Sequence, residues 1–268
     1  MGPMGPRGLG LISSNNAHVE EYMAAVEKKG LDYGLQIHWG KVHLISVGSE
    51  APVRTPAGDT IPTAESLLYL GSTIHRNGKF GSEISRKIGA AKATFRTLSN
   101  VWKNSQLPMR RRLALFDSLI LSGLRYGVAS AWLSKSDLRR MDGFHAGCLR
   151  KMLKIPVAYI SRISNEEVRR RVQQQPLSVS IRAMQLKLLG QVLTNPDKDF
   201  LKDVAFQDGD VLRPSTAAYV RKVGRPRDNW AEKLIAIVRP ATGTLRRWLQ
   251  VTSSEQLWNE TVANLLEH

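Results

Sequence analysis

Clusters of arginine and lysine are the residues of this sequence whose types and spacing most directly indicate a chemistry. Three arginines stand together at residues 110–112, three more at residues 169–171, and single cations recur between them. Guanidinium and ammonium groups form charge-assisted hydrogen bonds with phosphate oxygens. Such contacts are independent of base sequence and weaken as the salt concentration rises. These clusters therefore predict a binding surface for a polyanion.

The positive charge is concentrated in the middle of the chain. The 268 residues include 39 Lys and Arg against 23 Asp and Glu, a formal net charge of +16. Residues 81–193 hold 21 basic and 6 acidic side chains, whereas residues 1–80 hold 7 of each. A charge that served only solubility would be spread along the chain, so this distribution favours nucleic acid as the partner. The alternative is an ordinary solvated face, and the shortage of balancing acids argues against it.

The sequence offers little for metal or thiol chemistry. The single cysteine, Cys148, excludes an internal disulfide and any zinc site that needs several cysteines. His145 precedes it by three residues, but no second pair would complete a tetrahedral site, so both are expected on one helix face. Asp197, Asp199 and Asp203 fall in an expected loop, where solvated carboxylates are the simpler interpretation. We predict no catalytic residue, no metal ligand and no cofactor for this chain.

Helical periodicity determines where most of the cations should lie. Apolar residues recur at a spacing of 3.6 from residue 82 and predict one helix that runs to about residue 101. A second helix should begin at Pro108, a third near Ser136, and a fourth at a capping box of Ser164 and Glu167. A fifth is expected over residues 180–193. The faces opposite the apolar stripes carry cations that should contact phosphates: Arg86, Lys87, Lys92, Arg96, Arg110, Arg111, Arg112, Arg139, Arg140, Arg150, Lys151 and Lys154.

Shorter apolar runs before residue 80 predict strands. A helix capped by Asn15 or Asn16 and stopped by Gly30 comes first. Strands are then expected at residues 35–37, 42–47, 53–61 and 67–74, with a turn at residues 56–59. We therefore predict one helix and a small antiparallel sheet in residues 14–80, after a disordered leader of residues 1–13.

The helical periodicity of apolar residues is lost after residue 193 and returns at about residue 228. Residues 194–227 are expected to form a linker, and residues 228–268 should form a small helical tail with Trp230, Trp248 and Trp258 as core anchors. The predicted fold class is therefore α+β and mostly α. It consists of a small antiparallel sheet with one helix, a basic helical bundle over residues 81–193, and the C-terminal helical tail.

The linker contains a second cationic segment, whose residues 221–227 read RKVGRPR. Its Gly-Arg-Pro core resembles an AT-hook, in which arginines follow the floor of a narrow A·T minor groove. Arg221, Lys222, Arg225 and Arg227 would then contact DNA. Val223 stands where an arginine usually precedes the glycine. An extended linker that leads into the next helix is the alternative.

An ordered set of short segments carries a family resemblance. The set includes GLQIHWGK at residues 34–41, YLGSTI at 69–74, LRRMDGF at 138–144, ISRISN at 160–165 and GRPR at 224–227. Together they resemble the reverse transcriptases of non-LTR, LINE-type retrotransposons over about residues 9–235. The resemblance rests on the order of the segments and on no single motif.

The resemblance implies a role for each part of the chain. Residues 34–41 match the end of the palm helix, although Val42 follows Lys41 where the family usually has threonine. Tyr69 and Gly71 match the hairpin with which the family holds the primer end. The basic bundle would be the thumb and its extension, which grip the template–primer duplex. Lys41, Tyr69 and Gly71 therefore join the predicted nucleic-acid contacts.

The catalytic carboxylates of the family have no counterpart in the matching stretch. The family carries a Tyr-Ala-Asp-Asp-type box just before the strand that residues 9–14 match, and its carboxylates hold two Mg²⁺ ions. Residues 1–8 contain no Asp or Glu, and the first acid is Glu20. Mg²⁺ is therefore expected only for the complete family enzyme.

We accordingly expect a fragment of a LINE-type RNA-directed DNA polymerase that binds RNA–DNA hybrid or duplex without polymerising alone. A DNA-binding module that uses residues 221–227 is one alternative. Another is a non-catalytic interaction protein whose apolar faces dock onto other polypeptides, including a polymerase fragment that carries the upstream residues. Residues 1–10 lack the apolar core of a signal peptide, so a nuclear or cytoplasmic location without a membrane is expected.

Overall fold

A computed structural model describes residues 10–13, 15–47, 51–78, 80–194, 199–206 and 230–267. The chain divides into two compact units, residues 1–80 and residues 81–268. The described structure is mostly helical with one small antiparallel sheet, which confirms the predicted α+β, mostly α class. None of the described helices is both long enough and apolar enough to cross a membrane.

The first unit begins with helix α1, Asn16–Leu31. Asn15 caps it as predicted, because its side-chain oxygen accepts a hydrogen bond from the amide of Ala17 at 2.9 Å. The helix extends one residue past the expected stop at Gly30. The amide of Leu35 then bonds to the Gly30 carbonyl at 2.9 Å, which turns the chain away from the helix.

The sheet in the described part of this unit is a β-hairpin whose two strands are joined by a two-residue turn. Strand β1, Ser66–Tyr69, pairs antiparallel with strand β2, Ser72–His75. Leu70 and Gly71 connect the strands with φ values of 48° and 80°. Positive φ at both central residues is the geometry that matches the twist of paired strands.

The predicted sheet is larger than the observed one. Residues 35–37 are irregular backbone, and the runs at 42–47 and 53–61 contribute only isolated bridges, including one between Leu44 and Thr63. Leu35 is 67% exposed, so its run has no surface to pack against. Short apolar runs do not reveal whether a partner strand exists, and without one the run cannot remain extended and paired. The turn at residues 56–59 is present, with Gly58 at φ +92°.

The second unit is built from helices. Their bounds are α2, Gly81–Thr97; α3, Ser99–Lys103; α4, Met109–Phe116; α5, Ser122–Arg125; α6, Lys135–Met152; α7, Ala158–Ser161; α8, Asn165–Arg171; α9, Leu177–Thr194; α10, Asp199–Ala205; α11, Trp230–Thr242; α12, Leu245–Thr252; and α13, Glu255–Glu267. A π-helical stretch, Asp117–Leu121, joins α4 to α5.

Several helix boundaries differ from the sequence prediction, including the start of α9, which lies at Leu177 instead of residue 180. The first basic helix ends at Thr97, and its apolar stripe continues on α3, where Trp102 stacks on Phe95 with ring centroids 5.0 Å apart. Helix α6 begins after Ser134 instead of Ser136, because Ser134 and Asp137 form a capping box in which each side chain binds the other's amide. The predicted cap at Ser164 is confirmed.

The C-terminal helices share their core with α9. Trp248 and Trp258 are each 1% exposed and lie with ring centroids 6.4 Å apart, so both are core anchors as predicted. A Cβ atom at Gly190 of α9 would lie 2.3 Å from the Trp258 ring, which explains the glycine. Phe206 is fully buried in the same core, so part of the predicted linker is helix α10 followed by an anchored residue.

Candidate nucleic-acid interface

Helices α2 and α6 run beside each other and enclose a groove. Arg140 of α6 ties them together, since its guanidinium donates to the Ser85 hydroxyl at 2.6 Å and to the Gly81 carbonyl at 3.4 Å. The groove has a volume of about 530 Å³. Its lining consists of Ile88, Lys92, Phe95, Arg96, Arg140, Gly143, Phe144, Gly147, Cys148 and Lys151.

The floor of the groove is apolar and open. Phe95 and Phe144 supply aromatic surface, and both residues are less than a tenth exposed. Gly143 and Gly147 lie one helical turn apart on α6. A Cβ atom built on either glycine meets no atom within 4 Å, so the absence of side chains leaves the space above this part of α6 unfilled.

Cations line the groove and acids do not. Lys92, Arg96 and Lys151 are exposed, and within the described parts of the chain none of them takes part in an ion pair. Lys151 places its ammonium 5.8 Å from the centre of the Phe95 ring, a cation–π contact that holds the charge at the edge of the floor. Arg140 shares its charge with Asp137 at 3.4 Å. Unpaired cations beside a concave apolar surface are suited to a ligand with both phosphate and flat apolar groups.

Of the two residues considered for metal or thiol chemistry, Cys148 is part of the groove lining and His145 is buried in α6 outside that lining. Burial raises the pKa of Cys148 to about 12, although Lys151 and Lys92 act in the opposite direction, so the thiol stays neutral. His145 is 2% exposed and stacks on Phe116, and burial lowers its pKa to about 4. No group of three or more His, Cys, Asp or Glu side chains in the described ranges is arranged to hold a metal ion.

Lys87 and Arg150, two of the predicted contact residues, are instead internal. Each is 6% exposed. Lys87 lies 3.5 Å from Glu83, donates to the Gly123 carbonyl, and has a pKa lowered by burial against the opposing pull of Glu83. Because phosphate cannot reach a buried ammonium or guanidinium, neither residue belongs to an exposed interface in this structure.

The first arginine triplet is divided between surface and interior. Arg110 and Arg111 are exposed at the start of α4. Arg112 points inward and donates to the carbonyls of Trp102 and Met152, each at 3.1 Å. The three arginines therefore do not form one patch, because successive helical residues point in different directions.

Two arginines of the second triplet, Arg170 and Arg171, are paired with an acid. Glu167 accepts hydrogen bonds from Arg170 and Arg171. These bonds, that of Arg170 first, lower the pKa of Glu167 to about 2. Arg86 is engaged in a similar way, with two hydrogen bonds to the buried Glu83. Such pairing reduces the charge that these arginines offer to a partner.

Arg139 and Lys154 are the remaining predicted cations of the bundle. Both are exposed and, in the part of the chain that the structure describes, neither takes part in an ion pair. They are not among the residues that line the groove.

The predicted contacts of the first unit lie on two surface features. Lys41 ends a single 3₁₀ turn, Trp39–Lys41, and is exposed. Gly71 forms the hairpin turn, and Tyr69 precedes it with 37% of its surface exposed. Tyr69 also packs against Gly10, where an added Cβ atom would lie 3.0 Å from the phenol oxygen. Arg221, Lys222, Arg225 and Arg227 lie outside the described residues.

Sequence reasoning identified the cations of the groove but not its shape. Arg140, Gly143, Gly147 and Lys151 recur at spacings of three, four and four residues. This spacing places them on one stripe of a helix. The glycines were the available signal, since glycines in the interior of a predicted helix indicate that close approach or open space is needed there.

Comparison with known proteins supports a mobile-element ancestry. The chain is 26% identical over 150 residues to an uncharacterized transposon-derived protein of Caenorhabditis elegans. The match covers 54% of this chain and 53% of that protein, so the chain spans about half the length of the curated relative it matches. No protein-family profile and no solved structure matches the chain. The sequence is therefore similar to that of a protein derived from a transposon.

Proposed function

We propose that this chain is the thumb-containing part of a LINE-type RNA-directed DNA polymerase and that it binds template–primer nucleic acid in the groove between α2 and α6. One observation carries the proposal. Four cations predicted from the sequence, two from each helix, converge on one concave surface whose lining contains no acid. The ordered segment resemblance and the transposon-derived relative support the same origin.

The groove suits a nucleic-acid backbone for electrostatic reasons. Each Lys or Arg that neutralises a phosphate releases a condensed counterion, which makes the affinity high at low salt and sensitive to added salt. The glycines of α6 allow a backbone to approach the helix closely. The aromatic floor offers contact surface to sugars or bases without selecting among them. Binding should therefore be independent of sequence.

We propose that the chain does not polymerise nucleotides by itself. Residues 1–8, which occupy the place of the family's catalytic box in the resemblance, contain no carboxylate to hold the two metal ions of nucleotidyl transfer. We expect no template-dependent extension of a primer when the chain is supplied with Mg²⁺ and nucleotides. Template-dependent synthesis by the purified chain would contradict this part of the proposal.

A salt titration tests the interface. Fluorescence anisotropy would follow an RNA–DNA hybrid bound by the wild type and by a variant with Lys92→Ala, Arg96→Ala and Lys151→Ala. If all three cations contact phosphates, the slope of log K against log salt should become shallower by about 2–3, since each phosphate that is no longer neutralised reduces it by roughly 0.7–0.9.

The matched control removes the same charge elsewhere in the unit. Lys187, Arg246 and Arg247 are exposed and do not line the groove. Their triple alanine variant has the same net charge as the groove variant, so it reports the general electrostatic effect alone. Equal losses of affinity and equal salt slopes in the two variants would refute the groove as the interface. Absence of binding by the wild type would refute the proposed function itself.

A further inference from the structure

The chain between α6 and α8 presents a cluster of large apolar side chains to solvent. Val157 is 61% exposed, Tyr159 81% and Ile160 66%. They lie on and just before the single turn α7, Ala158–Ser161. Exposed apolar clusters of this kind usually mark a binding site. We refer to residues 157–160 as the apolar tip.

The buried side chain of Arg150 forms hydrogen bonds with residues on both sides of the apolar tip and so fixes its position. Its guanidinium donates to the Pro156 carbonyl at 3.0 Å and to the Ser161 hydroxyl at 3.3 Å, one on each side of the tip. It also donates to the Ile163 carbonyl and to the side-chain oxygen of Asn165. None of these four acceptors is a carboxylate, so the planar fork of donors is used to organise backbone. Arg150 is therefore a positioning residue.

The backbone at both ends of the tip is also fixed. Lys154 and Arg162 each have a φ of 57°, which is uncommon for a residue with a side chain. At Lys154 the chain forms a Schellman motif, with hydrogen bonds from the Ile155 amide to the Arg150 carbonyl and from the Lys154 amide to the Lys151 carbonyl. Such conformations persist only where the surroundings hold them, so the tip is presented in one arrangement.

The charges around the tip identify the class of partner. Residues 151–165 contain the exposed cations Lys151, Lys154 and Arg162 and no Asp or Glu. The Arg162 guanidinium lies 5.9 Å from the centre of the Tyr159 ring. An exposed aromatic ring with a neighbouring arginine, in a segment without acids, is the combination that stacks nucleobases beside an anionic backbone.

We infer that the apolar tip is a stacking site for an unpaired nucleobase, with Tyr159 as the stacking residue and Arg162 as the adjoining cation. The inference rests on the proposed function, because it takes nucleic acid as the partner. It adds a contact to bases, whereas the cations of the groove contact phosphates. Val157 and Ile160 would cover the edges of the stacked base.

The test distinguishes binding through bases from binding through phosphates. Affinities would be measured for an oligothymidylate and for an abasic oligonucleotide of the same length, which keeps the backbone charge but has no bases. The wild type should prefer the oligothymidylate. Tyr159→Ala should lower the oligothymidylate affinity by roughly 5- to 150-fold, the range for one base stacked on an aromatic side chain, and leave the abasic affinity unchanged. Tyr159→Phe keeps the ring and should retain most of the preference.

Tyr33 provides the matched control. It is also 81% exposed, and Tyr33→Ala removes an equally exposed tyrosine from the first unit while the sequence of the tip stays unchanged. Arg150→Lys keeps the charge but cannot hold the same acceptors, and it should reduce the preference for bases while the abasic affinity stays constant.

The outcomes distinguish the two proposals. If the wild type binds both oligonucleotides and Tyr159→Ala changes neither affinity, or lowers both equally, the stacking site is refuted while phosphate binding stands. A tip that contacts another protein would give the first of these results. If the wild type binds neither oligonucleotide nor the RNA–DNA hybrid, the proposed function fails and the stacking site fails with it.

Discussion

Helices α2 and α6 each carry one cation that is buried and at least one that is exposed in the groove. The comparison distinguishes cations that stabilise the fold from cations that are available to bind a ligand. On the buried side lie Lys87 and Arg150, both engaged by protein oxygen atoms. On the groove side lie Lys92 and Lys151, both exposed and, within the described residues, outside any ion pair. Lysine and arginine occur on both sides, since Arg96 also lines the groove, so residue type does not decide the role. The surroundings decide it.

The buried side should control stability, and the largest effect is expected at Glu83. Glu83→Ala leaves the ammonium of Lys87 buried without its carboxylate, and removal of one partner from a buried pair costs about 3–5 kcal/mol. Urea unfolding of the variant measures this loss. Lys92→Ala on the same helix should change the free energy of unfolding by less than about 0.5 kcal/mol. Similar losses in both variants would remove the distinction between the two sides.

Protonation of His145, a buried residue of α6, should also destabilise the fold. The folded pKa of about 4 lies below the ordinary value of 6.5, so the fold favours the neutral imidazole. Between these values the unfolded chain binds more protons, and the free energy of unfolding should therefore fall by about 3 kcal/mol as the pH drops from 6.5 to 4.

A comparison of variants isolates this contribution from that of the carboxylates. Neither ring nitrogen of His145 has a hydrogen-bond partner in the described structure, so His145→Phe keeps the stacking on Phe116 and removes two unsatisfied atoms. Urea unfolding at pH 7 and pH 4 should show a smaller difference for the variant than for the wild type. An equal difference would mean that His145 does not titrate in this window.

The sequence predicted the helices better than the roles of their cations. Strong apolar periodicity and a side-chain cap located α6 to within two residues at its start. The same periodicity contained a signal for Lys87, which stands three residues after Ile84 and so lies near the buried stripe. Three of the four strand predictions failed: residues 35–37 have an exposed leucine and no partner strand in the described part of the unit, and the runs at 42–47 and 53–61 form only isolated bridges, although Val53 and Ile61 are buried.

Arg150 shows why local pattern is not sufficient. It lies about two and a half turns from Met141, on the side of α6 opposite the apolar stripe, so periodicity places it in solvent. It is buried because residues 156–165 fold over it and supply four oxygen acceptors. The contacts of Arg150 with residues 156–165 are tertiary contacts, and so is the packing of α2 beside α6 that forms the groove. The spacing of apolar residues within a single helix predicts neither of them.

The shape of the groove can be tested without a change of charge. Gly147→Leu places a side chain in the open space above α6, so it should weaken binding of the RNA–DNA hybrid at least several-fold. The same substitution should raise the free energy of unfolding by about 0.5–1 kcal/mol, because glycine is unfavourable inside a helix. Anisotropy and urea unfolding measure the two effects.

Gly89 of α2 is the control for this substitution. A Cβ atom there also meets nothing within 4 Å, but Gly89 does not line the groove. Gly89→Leu should give a similar gain in stability with unchanged affinity. If Gly147→Leu binds as tightly as Gly89→Leu, the open space above α6 is not occupied by the ligand.

The smallest effects are expected at Arg110 and Arg111, which are exposed but do not line the groove. They lie in the first turn of α4, where the helix dipole disfavours cations, so the double alanine variant should be unchanged or more stable by a few tenths of a kcal/mol. If only groove cations bind phosphates, this variant should keep the salt slope of the wild type within about 0.7, which is less than the effect of one neutralised phosphate. A slope that becomes shallower by about 1.4–1.8 would show that both arginines bind phosphates. Exposure alone, and not position in the groove, would then determine which cations bind.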